Sequence, residues 1–150
     1  VTYDPIRDEI FTAELGRGAY LNGSPIHVTQ QEIISQSVLG FDMGYVGHKA
    51  GLALDLIRHL WPNMQGVRLM GSSALGLAYA ASNRLDIYFH HSLSPWDIAS
   101  GLLIVQEAGG IVTDKQGKPA TLYTPSIIAS HKGLVEDFLK CTDGLEWRSD

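Results

Sequence analysis

The chain has 150 residues, 45% of them hydrophobic and 18% charged, with a formal net charge of −5. That is enough for one domain with a substantial core, and an acidic balance without a basic run argues against an electrostatic nucleic-acid surface. No apolar run of about 18 residues is present, so no membrane span is expected and no secretory leader is read; the single cysteine, Cys141, excludes an internal disulfide and makes a reducing cytoplasm the simplest setting.

Val1-Thr2-Tyr3 reads as strand from the first residue and runs into an Asp4-Pro5 turn. A chain that begins at Val1, in mid-strand, is expected to be a C-terminal piece of a longer protein. Glu9 to Leu15 reads as a strand, Gly16-Arg17-Gly18 as a turn and Ala19-Tyr20-Leu21 as a short strand. Asn22-Gly23 is a type I′ hairpin signal, and Pro25 to Val28 an edge-like strand. From there strands and helices alternate. Ser37 to Asp42 is a strand, and Lys49 to Leu60 a helix with Leu52, Leu56 and Leu60 on one stripe. Val67 to Met70 is a strand, Ser72 to Ala81 an alanine-rich helix and Leu85 to Phe89 a strand. A helix opening at Ser94, strands at Ile111 to Thr113 and Ser126 to Ala129, and a last helix from Lys132 to Lys140 complete the pattern. The alternation predicts a layered α/β sandwich. Residues 1–29 are expected to form β-hairpins, 30–142 an α/β unit and 143–150 a frayed tail.

The helix at Ser94 is the most specific stretch. Ser94 is a good N-cap, Pro95 occupies the first helical position, and Asp97 completes an S-x-x-D capping box. Ile98, Leu102, Leu103, Ile104 and Val105 cover most of the circumference, which predicts burial on more than one side. Gly109 and Gly110 are read as the left-handed C-cap. On local grounds Asp97 is sufficiently explained as a cap.

Taken together, Trp96-Asp97, Ala99, Gly101 and Glu107-Ala108-Gly109-Gly110 resemble the C-terminal signature of the inositol monophosphatase family of Mg²⁺-dependent, Li⁺-sensitive phosphatases. The string from Thr12 to Gly23 resembles the same family, so the likeness covers nearly all of residues 1–140. The resemblance implies that Asp97 is a Mg²⁺ ligand in the active site and that Gly71, Ser72 and Ser73 contact substrate. It also implies that Li⁺ inhibits. By the same likeness the fold is the family's C-terminal sheet-and-helix unit plus a remnant of its N-terminal antiparallel sheet. That remnant would leave an edge through which a homodimer is expected to pair.

Read on their own, Gly71-Ser72-Ser73-Ala74 sit between a strand and a helix, where outward amides favour an anion and Ser is equally an ordinary N-cap. In inositol-selective members a glutamate seven residues before the signature aspartate binds a ring hydroxyl; here that position is His90. An imidazole donates as well as accepts, which bears on inositol specificity and leaves the phosphatase chemistry intact. As adjacent strand residues, His90 and His91 should face opposite sides, one half-buried and one exposed. Asp4-Pro5-Ile6-Arg7 begins like the family's main metal motif, but Arg7 stands where its second aspartate belongs, so the segment is read as a turn. Asp86, Asp114, Glu107 and Glu14 are read as solvated acids. His27, His48, His59 and His131 are scattered without ligand spacing.

The reading is therefore the C-terminal part of a phosphomonoesterase acting on a small phosphorylated polyol, sugar or nucleotide. Asp97 is its only metal carboxylate in this chain, so the 150 residues alone are expected to be nearly inactive. The alternative is a non-catalytic domain that binds anions or partners.

Overall fold

The computed structural model describes residues 1–149. Strands β1 (Thr2–Asp4), β2 (Glu9–Ala13), β3 (Ala19–Leu21) and β4 (Ser24–Ile26) pair antiparallel in chain order. Asn22 and Gly23 have φ of 49° and 80°, the double left-handed turn their sequence predicts. The Asp4-Pro5 turn is also as expected: the Asp4 carboxylate accepts the amides of Ile6 and Arg7. β2 ends at Ala13 and not at Leu15, because Glu14 already accepts the Arg17 amide into the next turn.

Strands β5 (Val38–Phe41), β6 (Gly66–Leu69), β7 (Ile87–His90), β8 (Ile111–Thr113) and β9 (Ile127–Ser130) form a second sheet in the order β6-β5-β7-β9-β8. β5 runs parallel to both neighbours, and β9 antiparallel to β7 and β8. Between the two sheets lie α2 (Ser73–Ala81) and α3 (Pro95–Glu107). On the far face of the second sheet lie α1 (Gly47–Leu60), α4 (Lys132–Cys141) and α5 (Glu146–Ser149). β7 displays the layering residue by residue: Tyr88 enters the core between the sheets, whereas Ile87 and Phe89 enter the core under α1 and α4. The alternating pattern thus gives the layered α/β sandwich that the sequence predicts.

α2 and α3 pack closely because Gly101 has no side chain. A Cβ there would lie 2.3 Å from Leu77 Cδ1 and 2.6 Å from Leu77 Cβ. At the end of α3 only Gly109 is left-handed, with φ of 84°. Gly110 serves packing instead, since a Cβ would meet Val28 at 2.7 Å and Val105 at 2.9 Å. Two acids read as solvated are structural. Asp86 accepts the Thr29 hydroxyl at 2.6 Å and the Val38 amide at 2.7 Å. Glu107 accepts the amides of Gly16 and Gly18 at 2.8 Å each, and these donors hold its carboxyl below the usual range.

The frayed tail is corrected. Residues 146–149 form α5, and Trp147, 2% exposed, stacks edge-on against Phe89 and Phe138. Burying an indole outweighs the entropy of ordering one short turn. Asp150 lies outside the described residues. Among the described residues no helix is long and apolar enough to cross a membrane.

Candidate functional site

The chain leaves β5 through α1 on one face to reach β6, then passes through α2 on the other face to reach β7. Connections that diverge from a central parallel strand open a crevice beyond its carboxyl end, where α/β sheets bind ligands. The residues at that end are Asp42 after β5, Gly71 to Ser73 after β6, and His90 closing β7. The N-terminus of α3 brings Asp97 to the same crevice.

Asp97 stands at the third position of α3, as its capping-box pattern predicts. One oxygen, Oδ2, accepts the Ser94 amide at 2.9 Å, and the Asp97 amide donates to the Ser94 carbonyl at 3.0 Å. This is the local cap. Its field reaches further: the carboxylate helps raise the Tyr88 pKa and opposes the fall of the His90 pKa. Trp96 beside it is 80% exposed, so the mouth of α3 is open to solvent.

Gly71 has φ of 74°, and a Cβ there would meet nothing within 4 Å, so the turn borders open space. Ser72 caps α2, its side chain accepting the Leu75 amide at 3.3 Å. The cap reading of this segment therefore holds, and the turn before it borders open space. The Gly71 amide, however, donates to Asp42 Oδ1 at 2.5 Å, so the protein's own carboxylate fills that part of the anticipated anion cradle. The second oxygen of Asp42 accepts the Tyr88 hydroxyl at 2.8 Å, and the Ser73 side chain also reaches that hydroxyl. Burial and the neighbouring Asp42 charge push the Tyr88 pKa far up, so its hydroxyl stays protonated and donates.

Asp42 and Tyr88 were not among the predicted site residues. Asp42 read as the last residue of a strand, and Tyr88 as an ordinary core aromatic. The available signal was glycine. Gly40 lies inside β5 and Gly76 inside α2, and both make room for the Tyr88 ring. A Cβ at Gly76 would stand 2.3 Å from Tyr88 Cε2, and one at Gly40 3.2 Å from Tyr88 Cδ2. Glycines in element interiors mark close approaches.

The histidine expectation is corrected. Both His90 and His91 are 3% exposed, with ring centroids 5.1 Å apart. β7 ends at His90, so strand alternation no longer separates the pair. Burial lowers the His90 pKa to about 4, with Asp97 opposing. His90 Nδ1 accepts the Ser92 amide at 3.0 Å. A neutral imidazole that accepts at Nδ1 carries its proton at Nε2. At the end of β7 the chain therefore offers a hydrogen-bond donor.

Among the described residues, no group of three or more His, Cys, Asp or Glu side chains could hold a metal ion. Asp97 fits one corner of an oxygen-ligand site, because Oδ1 is left for a cation when Oδ2 caps the helix. A separate cavity of about 410 Å³ opens between α1 and α5, lined by Leu52, Leu56, His59 and Trp147 among others. No candidate site residue borders it.

The model of the inositol monophosphatase family matches residues 1–143. The inositol-1-monophosphatase of Mesorhizobium japonicum is 37% identical over 142 residues, which cover 93% of this chain and 53% of the relative. The Nus factor SuhB of Escherichia coli is 36% identical over 140 residues, 93% of this chain and 52% of the relative. The crystal structure of extragenic suppressor protein SuhB from Bartonella henselae superposes with a TM-score of 0.87 at 34% identity, over 95% of this chain and 55% of that one. The chain spans about half the length of the curated relatives it matches.

Proposed function

The chain belongs to the inositol monophosphatase family, and on that premise we propose that it forms the carboxy-terminal part of a Mg²⁺-dependent phosphomonoesterase site for a small phosphorylated polyol or sugar. The observation that carries the reading is Asp97, presented on the N-terminus of α3 at the open end of the crevice. Mg²⁺ bound there would supply Lewis-acid polarisation of phosphate oxygens and lower the pKa of a water. The chain's own residues do the rest. Asp97 offers Oδ1 and is oriented by its cap through Oδ2. The first turn of α2, set by the Gly71 turn, meets the organic part of the ester. His90 presents its Nε2 proton and stays neutral above pH 4.

One carboxylate holds Mg²⁺ weakly, because the ion gives up water reluctantly. The remaining carboxylates are therefore proposed to come from outside these 150 residues, and the chain alone is expected to turn over little. One name among the relatives, Nus factor, keeps a second reading in view: a non-catalytic domain that binds anions or partners.

The test is phosphate release from a panel of phosphomonoesters, with and without Mg²⁺ and Li⁺, on this chain and on the full-length protein, each beside Asp97→Asn. Mg²⁺-dependent, Li⁺-inhibited release by the full-length protein that Asp97→Asn cuts by a factor of roughly 10² or more supports the enzyme. Absence of release from every ester by the full-length protein supports the interaction reading. Robust turnover by the 150-residue chain would refute the half-site argument.

A further inference from the structure

Asp42 is 7% exposed, yet it carries a carboxylate at the mouth of a ligand crevice. A buried carboxylate is retained at a cost unless its oxygens are hydrogen-bonded. Here each oxygen serves a different strand end. Oδ1 takes the amide of Gly71, in the turn after β6, and Oδ2 takes the hydroxyl of Tyr88 on β7. Asp42 itself follows β5, between those two strands. The three parallel strand ends are thus tied through one side chain. The Tyr88 end of the tie is rigid, because the ring sits against Gly76 and Gly40 with no room for a Cβ at either. The Gly71 end is the reverse: a left-handed turn with open space around it, held from behind by Asp42 alone among the side chains that accept its amide.

We propose that Asp42, with Tyr88 as its second anchor, is the positioning residue of the crevice: it fixes the Gly71–Ser73 turn so that the first turn of α2 faces the organic part of the substrate. Asp42 does not touch the reacting atoms. The geometric claim stands on these hydrogen bonds alone, and the claim about substrate rests on the phosphatase reading above.

Three substitutions separate positioning from bulk stability. Asp42→Ala orphans both donors. Tyr88→Phe removes one anchor and keeps the ring. Asp42→Asn keeps the shape, with its carbonyl able to accept from Gly71 and its amide able to donate to the Tyr88 oxygen. Two readouts are taken on the full-length protein: hydrogen exchange at the Gly71 amide, and kinetics with the ester turned over best in the panel, with inorganic phosphate as a competitive inhibitor. Asp42→Ala is expected to expose the Gly71 amide to exchange and to raise KM roughly ten- to a hundredfold, while the phosphate inhibition constant stays within about twofold, because phosphate binds on the Asp97 side. Asp42→Asn should recover most of the KM loss, and Tyr88→Phe should fall between.

A Gly71 amide that stays protected in Asp42→Ala overturns the proposal. So does an unchanged KM once that amide has opened, and so does a parallel rise of KM and the phosphate constant, which marks general damage. Should Asp42→Ala fail to fold, Tyr88→Phe decides by the same criteria. If the parent releases phosphate from no ester, the phosphatase reading fails by itself. Gly71 exchange then decides the positioning claim: opening in Asp42→Ala with protection in Asp42→Asn supports it, and any other pattern overturns it.

Discussion

Two glycine-to-alanine substitutions in helices should move stability in opposite directions. Gly51 lies inside α1, and a Cβ there would meet nothing within 4 Å. Gly51→Ala should gain the helix propensity difference, about 1 kcal/mol. Gly76 lies inside α2, where a Cβ would stand 2.3, 2.5 and 2.7 Å from three atoms of the Tyr88 ring. The ring is fully buried and cannot yield as a flexible chain end would. Overpacking of this kind costs about 1–3 kcal/mol, and contacts this short against a rigid ring belong at the upper end. Against the same gain of about 1 kcal/mol, Gly76→Ala should lose about 2 kcal/mol net. At roughly 2–4 °C per kcal/mol for a chain of this size, Tm should fall by about 4–8 °C for Gly76→Ala and rise by about 2–4 °C for Gly51→Ala. Urea melts should give the same signs, and Tyr88→Ala in the Gly76→Ala background should relieve the contact so that the two changes are non-additive. If Gly76→Ala is as stable as the parent, or both variants shift the same way, the argument that Gly76 exists to seat Tyr88 is wrong.

Trp147→Ala should cost about 3–5 kcal/mol in urea denaturation, as expected for removing a buried indole; a loss below about 1 kcal/mol would mean that the last turn contributes little. Burial holds the folded His90 pKa at about 4, below the ordinary histidine value of 6.5. The folded state therefore binds fewer protons in that interval, and stability is complete above pH 6.5 and is lost as pH falls toward 4. At about 1.4 kcal/mol per pH unit, the loss is at most about 3–4 kcal/mol, and His90→Gln should flatten that part of the stability–pH curve. An identical slope in the variant would assign the acid limb to other groups.

What was legible in the sequence was what is local. The start of α3 follows from Ser94, Pro95 and Asp97, because capping is settled within one turn. The β3–β4 turn follows from Asn22 and Gly23, because few other pairs tolerate that backbone. The family was legible for a different reason: the joint order of Trp96, Asp97, Glu107 and Gly109 carries a resemblance that no single motif does. What was missed is long-range. The seat of Trp147 is made by Phe89 and Phe138, far away in the chain. The role of Asp42 depends on an amide 29 residues later and a hydroxyl 46 residues later. An acid at a strand end gives no hint of either partner, and strand alternation says nothing about His91, which lies just past the end of β7.

The crevice is shared between the two sheets, and α3 joins them. Asp42, Gly71, Tyr88 and His90 all hang from the second sheet. Asp97 does not, because α3 is fastened along its length to the first sheet. Ser100, one turn after Asp97, shares a hydrogen bond of 2.8 Å with Thr2 on β1, and Glu107 at the far end grips the Gly16 and Gly18 amides between β2 and β3. The distance from the Asp97 carboxylate to the Gly71 turn is therefore set by the packing of α3 on α2, closed at Gly101 against Leu77, with the hairpins bracing α3 from the other side. This gives the first 29 residues, which hold none of the predicted site residues, a mechanical part in the site. It also explains why Glu107, read as a solvated acid, is buttressed by backbone donors: it holds in place the helix that carries Asp97.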